Sequence, residues 1–167
     1  MAKIKTVMKE VTIETKLKVY DAISDCPEPI QKLMASSVVA RDKAYAPYSK
    51  FYVGAAIMLD NGEVITGNNQ ENASYPSGLC AERTAIYYAG ATYPNAKIES
   101  MALTASSQNK LTEKPIPPCG ACRQAIAEYE IKQEQPIEIY FMGAQGKVVK
   151  SESLANLLPL IFDNSVL

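Results

Sequence analysis

Residues 98–105, Ile98-Glu99-Ser100-Met101-Ala102-Leu103-Thr104-Ala105, and residues 137–143, Ile137-Glu138-Ile139-Tyr140-Phe141-Met142-Gly143, are short apolar runs of the kind that form buried strands. Between them lie a connecting loop, Thr112 to Pro118, and a short helical stretch, Cys119 to Tyr129. A further helical stretch begins at about Cys80. Helix and strand therefore alternate from residue 80 onward. That order predicts two parallel strands joined by right-handed crossovers. Upstream, Tyr52 to Leu59 is apolar and ends at the Asp60-Asn61-Gly62 turn, so Glu63 to Gly67 completes an antiparallel hairpin with it. Ile30, Leu33, Met34, Ser37 and Val38 have helical spacing, and that helix should fade near Tyr45-Ala46-Pro47. Further out, Val11, Ile13, Leu17 and Val19 alternate with polar residues, which predicts a half-buried or edge strand over 11–20. Val148-Val149 follows a Gly146 turn, and Glu152 to Leu158 reads as a closing helix. The expected architecture is α/β: three layers, α/β/α, around a mixed sheet of roughly five strands. Residues 1–25 are expected to be an N-terminal extension that adds an edge strand to a domain spanning 26–167.

The 167 residues suffice for one domain with a substantial core. The apolar fraction of 47% and charged fraction of 21% are ordinary for a globular chain. A net charge of -1 argues against a protein built around nucleic acid, which favours a basic face. No apolar run approaches the roughly 18 residues needed to span a bilayer, so no membrane partner is expected. Met1 to Glu10 is basic but lacks an apolar segment and does not read as a secretory signal. Four cysteines without such a signal fit a reducing compartment, where paired cysteines bind metal or react more often than they cross-link; the expected location is cytoplasmic. The chain has no histidine. Serine–histidine and cysteine–histidine nucleophile systems and every histidine-ligated metal site are thereby excluded.

The chemistry must then run on sulfur. Cys80-Ala81-Glu82 is followed by Pro118-Cys119-Gly120-Ala121-Cys122. Cys119 and Cys122, three apart, share one face in the first turn of a helix, and Pro118 suits a helix start because its missing N–H needs no partner there. Cys80 and Glu82, two apart, would diverge in mid-helix and can address one metal only if a helix begins between them. Both halves of the site should thus sit at helix N-termini. Three thiolates on Zn²⁺ leave a net negative charge, which the positive end of each helix dipole offsets while lowering the thiol pKa values. Arg83 and Arg123, each directly after a motif, are placed to hydrogen-bond the ligand sulfurs. Three protein ligands leave the fourth tetrahedral position for water, whose pKa zinc brings toward ~7, and Glu82 is the resident proton carrier.

Two plainer readings compete. In one, Cys26 completes a structural four-cysteine cage, but it lies between Asp25 and Pro27 far from the other ligands, and a free, structural cysteine is the better reading. A redox role for Cys119 and Cys122 leaves Cys80-Ala81-Glu82 unexplained.

The paired motifs resemble the signature of zinc-dependent nucleoside and nucleobase deaminases. The flanks narrow it. Tyr48-Ser49-Lys50-Phe51-Tyr52-Val53-Gly54-Ala55-Ala56, Asn69-Gln70-Glu71-Asn72-Ala73-Ser74-Tyr75, Cys80-Ala81-Glu82-Arg83-Thr84-Ala85, Pro118 to Gln124, and Leu157-Leu158-Pro159 with Phe162 resemble the small, homotetrameric cytidine deaminases over about residues 30 to 162. The resemblance implies that fold, one zinc per subunit, and hydrolytic deamination of cytidine and 2′-deoxycytidine in pyrimidine salvage. It further implies that Asn69 and Glu71 bind the ribose 3′-hydroxyl and that Phe51 stacks on the pyrimidine. The Ala81 N–H would hold the pyrimidine carbonyl, and Phe162 would reach a neighbouring subunit's site. Tyr52 stands where the family often has proline, and Pro76-Ser77 alters the loop before Cys80; both bear on substrate fit. The rivals are a deaminase of free cytosine, of blasticidin S or of a base in nucleic acid, and a non-catalytic zinc-stabilised interaction module.

Overall fold

The computed structural model describes residues 8–167, and in them six strands form one sheet in the order β1-β6-β5-β4-β2-β3. The strands are β1 (Lys18–Tyr20), β2 (Phe51–Leu59), β3 (Val64–Asn68), β4 (Ile98–Ser107), β5 (Glu138–Met142) and β6 (Val148–Ser151). Three helices accompany them: α1 (Glu28–Arg41), α2 (Ala81–Thr92) and α3 (Gly120–Gln133). β4 and β5 pair in parallel, with Ala102 opposite Tyr140, as the helix–strand alternation predicts; the remaining pairs are antiparallel.

Both faces of the sheet are covered, which is why β4 and β5 are apolar without strict alternation. On one face Ile30, Leu33 and Met34 of α1 pack with Ala56, Ala102, Tyr140 and Val148. On the other, Ala85 and Ile86 of α2 and Ile126 of α3 pack with Ala55, Ile57, Met101, Leu103 and Ile139. Neighbouring residues of one strand thus feed opposite layers, the period-two rule of a strand. The three-layer α/β/α expectation holds. Burying side chains such as Ile86 and Ile126 contributes about 1.5–3 kcal/mol each.

Two glycines let the helices close on the sheet. A Cβ at Gly67 of β3 would lie 2.7 Å from the Ala81 carbonyl oxygen and 2.6 Å from the Ala85 nitrogen. The first turn of α2 therefore rests on bare strand backbone. Gly54 of β2 does the same for α1, where a Cβ would meet the Ser37 carbonyl oxygen at 1.9 Å.

The sheet has six strands where roughly five were expected, and both termini differ from the sequence pattern. Strand pairing near the start is confined to Lys18–Tyr20, opposite Lys150 to Val148, because β6 is only four residues long. The edge-strand alternative thus holds for Lys18–Tyr20, while residues 8–17 lie outside the paired strand and Val11, Ile13, Leu17 and Val19 are exposed, not half-buried. The helix expected over Glu152 to Leu158 is a single 3₁₀ turn, Leu154–Asn156. Leu154 is fully buried and its N–H donates to the Glu130 carboxylate, while Pro159 blocks continuation of the turn. α1 ends at Arg41, short of Tyr45. Among the described residues no helix is long and apolar enough to cross a membrane.

Candidate active site

Cys80 and Cys119 cap α2 and α3: each has extended backbone (φ -73°, ψ 155° and φ -68°, ψ 169°) directly before the helix. Cys122 lies in the first turn of α3 and is buried. Both helices start at the end of the sheet where β3 and β4 finish, so their N-termini converge. The sulfurs of Cys80, Cys119 and Cys122 all lie within 4.8 Å of one another, and Cys80 and Cys119 are 3.9 Å apart. Tetrahedral zinc with Zn–S bonds of about 2.3 Å needs sulfurs about 3.8 Å apart. The three thiols fit that ion.

Hydrogen bonding from Cys122 draws the Cys80 thiol down to about 5 against the opposing effect of burial, and Arg83 adds to the pull. The Cys122 thiol moves the other way, its proton retained by hydrogen bonding to Cys80 and by burial. Arg83 Nη2 stands 3.9 Å from the Cys80 sulfur. Arg123 does not reach a sulfur: its Nε donates to the Pro118 carbonyl (2.8 Å) and its Nη1 to the Leu157 carbonyl (2.8 Å). Of the two arginines expected beside the sulfurs, one is there. The other ties the loop ahead of Cys119 to the C-terminal segment, since its guanidinium is taken up by carbonyls. Cys26 lies in the cluster on the α1 face, away from the thiol group, and burial followed by Asp25 pushes its thiol up.

Glu82, the second residue of α2, is 5% exposed. Burial pushes its carboxyl up to about 7, with the charge of Cys80 adding to the rise and Arg83 and a hydrogen bond with Cys122 opposing it. A carboxyl in that range exchanges its proton readily at neutral pH. Ala81 occupies the first helical position, where a backbone N–H has no partner within the helix.

A cavity of about 550 Å³, the size class of small-ligand sites, opens beside Cys80 and Arg83, with Asn69, Glu71, Tyr48 and Tyr75 on its walls. The Asn69 amide bridges the start of β2: Oδ1 accepts from Val53 N–H (2.8 Å) and Nδ2 donates to the Phe51 carbonyl (2.9 Å). One donor and one acceptor position of the amide remain for a ligand. The Glu71 carboxylate accepts from the N–H groups of Tyr48 (3.0 Å) and Ser49 (3.2 Å) and from the Ser49 hydroxyl; burial, the largest single effect, raises its pKa, but these bonds together with Lys50 outweigh it and leave the pKa lowered. Glu71 is thus also the clamp of the loop carrying Lys50, whose φ of 55° places it in the left-handed region. Phe51, half-buried, begins β2 but does not line this cavity, and neither does Ala81. Phe162 is exposed, its carbonyl accepting from the amide of Gln124 (2.7 Å), two residues beyond Cys122.

Tyr48, Ser49 and Tyr75 carry no role in the motif reading. Tyr48 and Tyr75 meet edge to face at 6.1 Å on the cavity wall. Their place depends on folding two loops together, and the sequence signal for it is limited to two tyrosines inside polar, turn-rich stretches.

Residues 27–135 match the family model described as the cytidine and deoxycytidylate deaminase zinc-binding region. A protein of Halalkalibacterium halodurans named cytidine deaminase is 39% identical over 132 residues, 79% of this chain and 92% of that protein. The crystal structure of cytidine deaminase from Burkholderia pseudomallei superposes with a TM-score of 0.68 at 39% identity, covering 78% of this chain and 97% of the other. The Mycobacterium tuberculosis cytidine deaminase structure gives 0.61 at 31% identity over 79% and 95%.

Proposed function

The chain belongs to the family of cytidine and deoxycytidylate deaminases with a zinc-binding region, and from that premise we propose that it hydrolyses cytidine and 2′-deoxycytidine to uridine, 2′-deoxyuridine and ammonia. The observation that carries the reading is the placement of a buried carboxyl, Glu82, two residues from a group of three converging thiols. In this reading Cys80, Cys119 and Cys122 hold one zinc ion per subunit. Bound there, zinc supplies the Lewis acidity that brings the pKa of water toward ~7.

The chain's own residues do the rest. Glu82 delivers a proton to N3 of the ring, which makes C4 electrophilic, and carries a second proton to the departing amine. Its buried position and raised pKa suit a group that must gain and lose a proton in each turnover. The Ala81 N–H holds the pyrimidine carbonyl, Phe51 stacks on the ring face, and Asn69 and Glu71 hold the ribose 3′-hydroxyl with the donor and acceptor capacity left to them. Arg83 offsets the charge of the thiolates. Residues 26–167 form the catalytic domain and residues 1–25 an extension to it. The protein works as a cytoplasmic homotetramer in pyrimidine salvage, with Phe162 reaching a neighbouring subunit's site.

The test is an ultraviolet assay of the purified protein with cytidine, deoxycytidine, cytosine and blasticidin S. Turnover of the two nucleosides supports the proposal. Turnover of cytosine or blasticidin S without cytidine overturns the substrate assignment, and no turnover of any overturns the enzyme reading.

A further inference from the structure

The N-terminal arm has strand chemistry without a strand partner. Val11, Ile13, Leu17 and Val19 alternate with Thr12, Glu14, Lys16 and Lys18. The apolar set is 73%, 52%, 46% and 58% exposed. Among the described residues β1 pairs on one side with β6 and is the last strand of the sheet, so its other edge presents backbone N–H and C=O groups that pair with no described strand. The arm is held on course into that edge: Lys16 N–H donates to the Asn156 side chain (3.3 Å), and Lys18 forms an ion pair with Glu152 (2.5 Å). An open edge continued by an exposed, alternating apolar segment is a template for another strand.

We infer that residues 10–20 of two copies of this chain pair antiparallel across a two-fold axis, each arm completing the open edge of the other copy's β1. The occupant is set by the sequence of the arm itself. Residues directly opposite in an antiparallel pair share a face, so registers that bring apolar residues opposite polar ones are disfavoured. Among the registers that keep the apolar face intact, apolar matching and charge together favour one. With Thr15 on the axis, Glu14 faces the partner's Lys16, and the pair recurs by symmetry. Val11 then faces the partner's Val19, and Ile13 the partner's Leu17. Shifting the axis to Lys16 places two lysines opposite each other, and shifting it to Glu14 does the same with two carboxylates; like charges in those positions destabilise the pair. Such a contact is isologous, the same segment of each copy meeting its counterpart. It uses an extension that lies ahead of the family-matched residues 27–135, so it is independent of the deaminase reading.

Cross-linking reads the register. Residues opposite each other in an antiparallel pair have Cα atoms about 4.5–5.5 Å apart, inside the disulfide window of about 4.4–6.8 Å. Thr15→Cys in the full chain, under mild oxidation, is expected to form a covalent dimer at least about tenfold faster than Thr12→Cys, an exposed control that faces the partner's Lys18 in this register. The unsubstituted chain is the blank for its own cysteines. Adding Leu17→Lys to Thr15→Cys is expected to slow cross-linking by about tenfold while the circular dichroism spectrum stays unchanged, since Leu17 is exposed in the single chain. Equal rates for Thr15→Cys and Thr12→Cys, or a rate indifferent to Leu17→Lys, overturn the inference; so does a dimer trapped equally well from every arm position.

Discussion

The guanidinium of Arg83 points at the Cys80 sulfur, Nη2 to Sγ 3.9 Å, and its Nε is buried without a hydrogen-bond partner among the described residues. A half-buried arginine whose Nε has no partner is better accommodated beside a sulfur that carries negative charge. The arrangement therefore belongs to the thiolate form of the site. Arg83→Gln removes the charge and withdraws the guanidinium from the sulfur, leaving a shorter neutral side chain. It is expected to weaken zinc retention about 10–100-fold, read by competition with a chromogenic chelator. Unchanged affinity would show that the helix ends alone balance the thiolates.

Glu82→Gln tests the proposed proton carrier separately from the proposed metal site. The amide occupies nearly the same volume, so one zinc per chain and the thermal midpoint should persist. Turnover of cytidine should fall by at least about 10²–10⁴-fold, because Glu82 is the buried carboxyl two residues from Cys80 in the chain. Zinc content by atomic absorption and steady-state rates on the same preparation decide it.

Gly67 controls how closely α2 approaches β3. In Gly67→Ala the new methyl meets main-chain atoms of Ala81 and Ala85, which cannot rotate away. A loss of about 1–3 kcal/mol in stability is expected, together with a larger fall in activity, because the atoms displaced belong to the turn that carries Cys80 and Glu82. Urea denaturation paired with activity measured well below the transition distinguishes the two effects. Activity intact at full stability loss would mean that the turn moves as a unit with its ligands.

Glu130 gathers the C-terminal segment. Its carboxylate accepts from the N–H groups of Ile137 (2.8 Å) and Leu154 (2.9 Å) and from the Ser153 hydroxyl (2.6 Å). Glu130→Ala strands those donors at about 1–3 kcal/mol each where they stay buried. The expected drop in thermal midpoint is several degrees, at about 2–4 °C per kcal/mol for a chain of this size. A change below a degree would show that water replaces the carboxylate.

Lys18, then Lys150, hold the Glu152 carboxyl down to about 2. A group whose pKa is lower folded than unfolded adds stability above its unfolded value, and that stability is lost as pH falls through the folded one. Glu152→Gln should therefore be less stable than the parent at pH 7, with the difference shrinking between about pH 4.5 and 2. Lys150 gives the opposite limb. Burial works against its charge, but Glu138 and Glu152 together raise its pKa, so its contribution is present at neutral pH and disappears only in strong alkali. Denaturant midpoints across pH for parent and variant measure both limbs; parallel acid limbs would remove Glu152 from the ledger.

The amino-acid sequence by itself determined the parallel pair β4 and β5, the hairpin of β2 and β3, and the helix starts at Cys80 and Cys119. These are local matters: apolar period, turn chemistry and capping leave their mark within a few residues. The absence of histidine and the spacing of Cys80, Glu82, Cys119 and Cys122 likewise bounded the chemistry before any fold was known. Tertiary structure decided what depends on a distant partner. Residues 11–17 have the alternation of a strand but pair with no strand among the described residues, β6 ending at Ser151. Glu152 to Leu158 has helical composition, yet Glu130 and the burial of Leu154 hold it to one 3₁₀ turn. Arg83 and Arg123 follow their motifs alike in sequence. One faces a sulfur and the other two carbonyls because α2 and α3 enter the site with different neighbours, and that choice is made by packing, to which a linear pattern is blind.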